Sequence, residues 1–258
     1  MTTSLRHHPI AAQRERNARI RDHAERIAAS SQTSLSAGSV GALLPVAVVP
    51  ANSRETTRLP QRNRREFLRK LAMRMRVVFT ADAPGDDTTL SAEMLAARAC
   101  AEDAPPRESA EASAILGFSC ATCRGECCTA GGDHAFLRED SLTRVRLQNP
   151  LASESELMAV YASHLPARNY RGSCVYHTTG GCALPRALRS NICNRYLCGG
   201  LTQLKRALES SGSNAAFVGA ADSVHLRRMA VIDASGVTPV SLREKDARSA
   251  QISAHSDS

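Results

Sequence analysis

Ser119-Cys120-Ala121-Thr122-Cys123-Arg124-Gly125-Glu126-Cys127-Cys128 opens the stretch that decides the fold, which runs on to Cys198. Eight of the nine cysteines lie in it: Cys120, Cys123, Cys127, Cys128, Cys174, Cys182, Cys193 and Cys198. Two thiolates three residues apart, as in Cys120-x2-Cys123, can grip one ion from a single turn, and the spacing recurs in zinc and iron–sulfur sites. The adjacent pair Cys127-Cys128 says more. Neighbouring side chains diverge by about 100° on a helix and point oppositely on a strand. An undistorted backbone would therefore give each thiolate to a different centre, or make one a bridge. The expectation is one or two metal centres, with the later cysteines folding back on the earlier ones.

The other readings of these thiols fit less well. Nine is an odd count, a disulfide between neighbours is strained, and no convincing secretion signal is present. His134 and His177 could stand in for a cysteine, though each reads more readily as an ordinary loop histidine. Arg124, Arg171, Arg189 and Arg195 lie among the cysteines and could offset the negative charge of thiolate ligands. The alternative for each is a solvated surface charge. Cys100 stands apart in an acidic surround and reads as a plain thiol.

Cys182-Ala-Leu-Pro-x3-Arg189-Ser-x2-Cys193-Asn-Arg195-Tyr196-x-Cys198, taken with Cys120-x2-Cys123-x3-Cys127-Cys128, resembles the YkgJ-type cysteine-cluster family. Its members are described as zinc- or iron-chelating, and the module also occurs in proteins similar to the flagellin lysine N-methylase. The resemblance covers about residues 115–200. It implies the eight cysteines as ligands and supplies no settled reaction. Ala183-Leu184 and Arg189-Ser190 stand where the family often has Ile-Tyr and Arg-Pro, and Cys123-x3-Cys127 is one residue longer than in many members.

Outward from this stretch, 258 residues imply one or two domains. Aromatic residues are 3% and Trp is absent, so a core must rest on aliphatic side chains, with metal as a substitute where these run thin. Residues 1–76 carry 15 Lys+Arg against 5 Asp+Glu, and the remainder is slightly acidic, so the basic balance belongs to the N-terminal part. That part lacks stacking aromatics, and base-specific nucleic-acid binding is not expected of it.

Residues 1–60 read as a mainly disordered basic segment with one short helix over Ala11–Ala29, where Ile20, Ala24, Ile27 and Ala28 share a face. Residues 61–110 read as a helical linker region. It has an amphipathic helix over Arg62–Val78, a turn at Pro84–Asp87, a helix over Leu90–Ala101 and a linker at Pro105-Pro106. Residues 111–242 form the cysteine-cluster domain, and 243–258 a disordered tail. Within the domain, helices are expected at Asp140–Leu147, from Ser153 carrying Leu157, Val160 and Tyr161, from Pro185 to about Ile192, and through Leu201, Leu204 and Leu208. Asn169–Gly181 reads as loop, and Gly199-Gly200 as a tight path beside a bound ion. The fold class is thus mainly α, or α+β if Ala215–Ala221 and Met229–Val240 form a small hairpin around Asp233–Gly236; a helix over 215–230 is the alternative.

The apolar run Val40–Val49 is broken by Pro45, and Asn63–Arg69 looks like a twin-arginine motif whose apolar region is spoiled by Lys70, Arg74 and Arg76. No segment reaches the roughly 18 apolar residues of a membrane span. A cytoplasmic, reducing compartment without membrane contact is the expectation. The functional reading is a zinc- or iron-binding protein, an iron–sulfur cluster included. Two alternatives stand beside it: an iron–sulfur redox or transfer enzyme, and a polyanion- or partner-binding module led by the basic segment. No acid–base pair, nucleophile constellation or Gly-rich cofactor loop singles itself out, so the sequence leaves open whether the protein is an enzyme.

Overall fold

The computed structural model describes residues 8–35, 44–80 and 109–241. The turn at Pro84–Asp87, the helix over Leu90–Ala101 with Cys100, the Pro105-Pro106 linker and the tail from Arg243 fall outside the described residues. The chain divides into two compact units that are not consecutive in sequence. The first comprises Met1–Asn52, Glu108–Arg124 and Leu197–Ser258; the second comprises Ser53–Arg107 and Gly125–Tyr196. This differs from boundaries drawn at 60, 110 and 242, and it cuts the first cysteine motif between Arg124 and Gly125.

The first unit is a four-stranded sheet with helices on both faces. Strand β1 (Val46–Pro50) runs parallel to β6 (Ala215–Ala221), which pairs antiparallel with β7 (Leu226–Asp233), and β7 with β8 (Gly236–Pro239). The β7–β8 hairpin turns at Asp233–Gly236 as the pattern predicts, but Ala215–Ala221 joins through a separate turn at Asp222–His225. Side chains of β6 alternate between two apolar layers. Ala216, Val218 and Ala220 face Ile115, Leu116, Leu201, Leu204 and Leu208, while Phe217 faces Ala24, Ile27 and Ala28. The first group lies on helices α3 (Ala110–Cys123) and α7 (Gly199–Ser211), the second on α1 (His8–Leu35).

Residues 1–60 are therefore not a mainly disordered segment where they are described. The stripe Ile20, Ala24, Ile27 and Ala28 is buried as its spacing predicts, but on a longer helix. Val46–Pro50 is a strand covered on both faces, which reads as an unbroken apolar run and loses the alternation by which strands are recognised. The architecture is α+β rather than mainly α.

Gly200 has a structural cause. A Cβ built there would lie 2.1 Å from the carbonyl oxygen of Val48, so its missing side chain lets the first turn of α7 press on β1. It starts a helix rather than a tight path beside an ion. Leu201, Leu204 and Leu208 then fall on the sheet side, each worth about 1.5–3 kcal/mol over exposure.

The second unit contains β2 (Thr56–Arg58), α2 (Gln61–Thr80), α4 (Glu139–Gln148), α5 (Glu154–Ser163), β3 (Arg168–Tyr170), the two-residue strands β4 (His177–Thr178) and β5 (Gly181–Cys182), and α6 (Asn191–Arg195). Its core gathers Phe67, Leu71, Met75 and Val78 of α2, Leu142 and Val145 of α4, and Leu157 and Tyr161 of α5. Phe67 meets the ring of Tyr176 edge-on at 5.3 Å, and the Tyr176 hydroxyl donates to Tyr161 O at 2.8 Å. The Ser153–Glu156 capping box forms as predicted, but Val160 faces outward. No continuous helix follows Pro185. A 3₁₀ turn over Arg186–Leu188 ends at Arg189, and Ser190 then caps α6 by accepting from Cys193 N–H. Among the described residues no helix is long and apolar enough to cross a membrane.

Two tests follow. Gly200→Ala should cost at least about 1–3 kcal/mol in urea unfolding, as overpacking does, whereas Gly199→Ala, which meets nothing within 4 Å, should shift stability by less than about 0.5 kcal/mol. The second concerns Asp222. Burial would raise its pKa, but N–H donors of His225 and Val224 and the Arg227 guanidinium outweigh this and hold it at about 2, below the ordinary 3.8. A depressed folded pKa adds stability above the ordinary value and loses it as pH falls toward 2. Asp222→Asn should therefore lower the urea midpoint at pH 7, and the gap to wild type should close between about pH 4 and pH 2.

Candidate metal centre

In the first unit, Cys120 and Cys123 lie on the last turn of α3, and Cys198 is the N-cap of α7. Cys123 is buried; Cys120 and Cys198 are half-buried, and all three pack on the same apolar layer. The end of α3 is fixed from outside. Asn52, 1% exposed, donates its backbone N–H to Cys123 O at 3.0 Å and its side-chain amide to Arg124 O at 3.0 Å. Arg228 donates to Thr122 O at 2.8 Å and to Cys123 O at 3.1 Å. These donors satisfy carbonyls that a helix end leaves open and set the azimuth of the C-x2-C turn.

Among the described residues, the second unit holds five thiols: Cys127, Cys128, Cys174, Cys182 and Cys193. Gly125, at φ 66°, starts a 3₁₀ turn over Glu126–Gly131, and Cys128 N–H donates back to Gly125 O. The vicinal thiols sit in this 3₁₀ turn rather than on a regular helix or strand, near enough for each to shift the other's pKa. The later segment returns to them by backbone bonds, Cys174 N–H to Cys128 O and Val175 N–H to Gly132 O, both at 3.1 Å. Gly131 makes room, since a Cβ there would sit 3.0 Å from Cβ and 3.4 Å from Sγ of Cys174. Cys182 stands opposite His177 in the β4–β5 pair.

The thiols feel one another's charge. Its neighbour Cys128 draws the Cys127 thiol down to about 7, against the opposing effects of burial and Glu126. Cys128 moves up, chiefly because Cys127 occupies its proton, then through burial and the charges of Cys127, Cys174 and Cys182. Burial pushes Cys174 up to about 12, and Cys182 and Cys193 add to this. Cys193 is raised by burial and by the charges of Cys182 and Cys127, while Ser190 and Arg189 lower it. Each thiolate thus makes its neighbours harder to ionise unless a cation arrives.

The charge of Arg189 lowers the pKa of Cys193, while the side chains of Arg124, Arg171 and Arg195 are exposed. The Arg189 Nε donates to Leu184 O at 2.8 Å. Arg144 was not singled out by the sequence. It is 4% exposed and donates to Ala187 O at 2.9 Å, Arg189 O at 2.6 Å, Asn191 Oδ1 at 2.8 Å and Gln148 Oε1 at 3.1 Å. With the Tyr161 hydroxyl on Leu188 O at 3.0 Å, it pins the segment between Cys182 and Cys193.

The two histidines separate. His134 is half-buried, and its Nδ1 accepts from Phe136 N–H at 3.0 Å. His177 is 1% exposed, with Nδ1 on Ser173 Oγ at 2.8 Å.

No group of three His, Cys, Asp or Glu side chains among the described residues is arranged, as it stands, to hold a metal ion. The donor set nevertheless fits a soft ion chemically: five sulfurs and an imidazole stand on neighbouring segments, with Cys127 and Cys193 exposed. Compared with family models, curated proteins and solved structures, the chain matches none.

Arg144→Ala should cost about 3 kcal/mol in urea unfolding, because charge-assisted bonds to buried acceptors are lost together. It should also speed alkylation of Cys182 and Cys193. Arg144→Lys keeps the charge without the planar fork and should recover only part of either effect.

Proposed function

We propose that the protein is a zinc- or iron-binding cysteine-cluster protein whose thiols form one or two metal centres, an iron–sulfur cluster being one form the iron could take. The observation that supports this most is the bond from Cys174 N–H to Cys128 O, which returns Cys174 to the vicinal pair Cys127-Cys128 in the compact unit that also holds Cys182 and Cys193. Thiols that suppress one another's ionisation gain most from a divalent cation, which favours every thiolate at once. The resemblance to the YkgJ-type family points the same way and brings in Cys120, Cys123 and Cys198 as the remaining ligands. In this reading the metal is first a folding element, because all-thiolate sites leave no open position for a substrate. Thiolate sulfur suits both zinc and iron, and the choice between them rests on geometry and supply.

The test is native mass spectrometry with elemental analysis on the full chain purified without oxygen. Bound zinc or iron at one or two equivalents or more is expected, and Cys128→Ser and Cys174→Ser should each lower it. A colourless protein would indicate zinc and a brown one an iron–sulfur cluster. A folded wild-type monomer free of metal would overturn the proposal.

A further inference from the structure

We infer that the outward face of α2, with the end of β2 that leads into it, binds the phosphate backbone of a nucleic-acid duplex without regard to base sequence. This stands apart from the metal-binding reading, since it uses none of the cysteines.

The basic residues of α2 divide by the side of the helix they occupy. Arg64 donates to Ala162 O at 3.2 Å and Arg74 to Leu137 O at 2.8 Å, so both are turned onto main-chain oxygens of their own unit. Lys70 is held by Glu66 at 3.0 Å and by Asp133. Arg62, Arg65, Arg69 and Arg76 face the other way. All four are exposed, and among the described residues none of them has an ion pair. Arg69 makes one weak contact, 3.9 Å from its Nη1 to Met73 Sδ. At about 100° per residue the four arginines and Met73 fall in one stripe roughly 80° wide and about 21 Å long. The stripe lies opposite Phe67, Leu71, Met75 and Val78, which are buried.

This is not the composition of a face that merely meets water. A solvated helix face gains from opposite charges three and four residues apart, and like charges at those spacings oppose the helix. Arg62, Arg65 and Arg69 stand three and four apart. Glu55 and Glu66 are the carboxylates of residues 54–80, and Glu66 is bound to Lys70. The same conflict recurs on the ladder beside α2. Arg58 and Arg168 stand directly opposite each other in the β2–β3 pair, both exposed, where like charges repel. Arg168 donates to Thr56 O at 2.8 Å, which satisfies the donor and leaves the charge. Arg58 precedes Arg62 by four residues, at most about 14 Å of chain, so the basic surface runs from the ladder onto the helix. Two elements thus hold like charges together that an anion would relieve.

The partner's chemistry follows from the side chains. Guanidinium groups make paired, charge-assisted bonds with phosphate. A fixed row of like charges suits a partner whose own charges are regularly spaced. The stripe holds no aromatic ring for an unpaired base to stack on, which favours a duplex over a single strand. A lipid surface would need apolar area to insert. The apolar side of α2 is in the core, and its outward side offers Met73 and Val77, 53% and 44% exposed.

Fluorescence anisotropy of the full-length wild type with a labelled mixed-sequence DNA duplex of about 20 base pairs, at several salt concentrations, tests this. Binding is expected, with a slope of log K against log salt of about −4, near −0.9 for each arginine engaged, and with no loss when the sequence is scrambled. The combined variant Arg62→Gln, Arg65→Gln, Arg69→Gln should bind at least about 10-fold more weakly and lose about 3 from the slope, with the fold checked by circular dichroism. Arg14→Gln, Arg16→Gln and Arg26→Gln together, exposed positions of α1, remove the same charge and should stay within about 2-fold of wild type. A wild type that does not bind the duplex at low salt overturns the inference, and that measurement needs no variant to fold. Equal weakening by the α1 variant overturns it too, since net charge alone would then account for binding. So does tighter binding to phosphatidylcholine–phosphatidylserine vesicles, or polyglutamate competing as well as unlabelled duplex. Each of these leaves metal binding standing.

Discussion

Two backbone hydrogen bonds, Cys174 N–H to Cys128 O and Val175 N–H to Gly132 O, hold the second unit's thiols together. They join segments more than forty residues apart without a long sheet, and they do so inside an apolar surround. Val175 and Tyr176 are 2% and 0% exposed, so the turn that carries Cys174 is part of the core. An unpaired N–H there would cost about 1–3 kcal/mol. The return of Cys174 to the vicinal pair is thus fixed by main-chain satisfaction and aromatic burial, before any ligand is considered.

How much of this could be read from the sequence depends on the range of the interaction. Local signals were sound. The stripe on α1, the face of α2, the Ser153–Glu156 capping box and the leucines of α7 follow from periodicity and cap chemistry. Long-range pairing was not legible. Val46–Pro50 looks like an apolar run because both of its faces are covered, and its partner Phe217–Ala221 lies about 170 residues on. Arg144 could not be found either. It acts on main-chain oxygens of Ala187 and Arg189, which leave no trace in residue type. Nor does residue type tell His177, buried and bonded to Ser173, from His134, which makes a local bond within its own turn.

The vicinal cysteines show how backbone form overrides a rule drawn from regular elements. Side chains of adjacent residues diverge when the chain is helical or extended. At Cys127-Cys128 the chain is neither, because Gly125 enters with a positive φ and the following residues wind as a 3₁₀ turn. The divergence expected of a regular helix or strand therefore does not apply to this pair.

The electrostatics then set a direction for the chemistry. A thiol–thiolate pair such as Cys127-Cys128 holds one negative charge with ease and a second only against its neighbour's repulsion. Cys174, Cys182 and Cys193 extend that repulsion across the group. The proposed cation would relieve this repulsion, and each thiolate it engaged would favour the next.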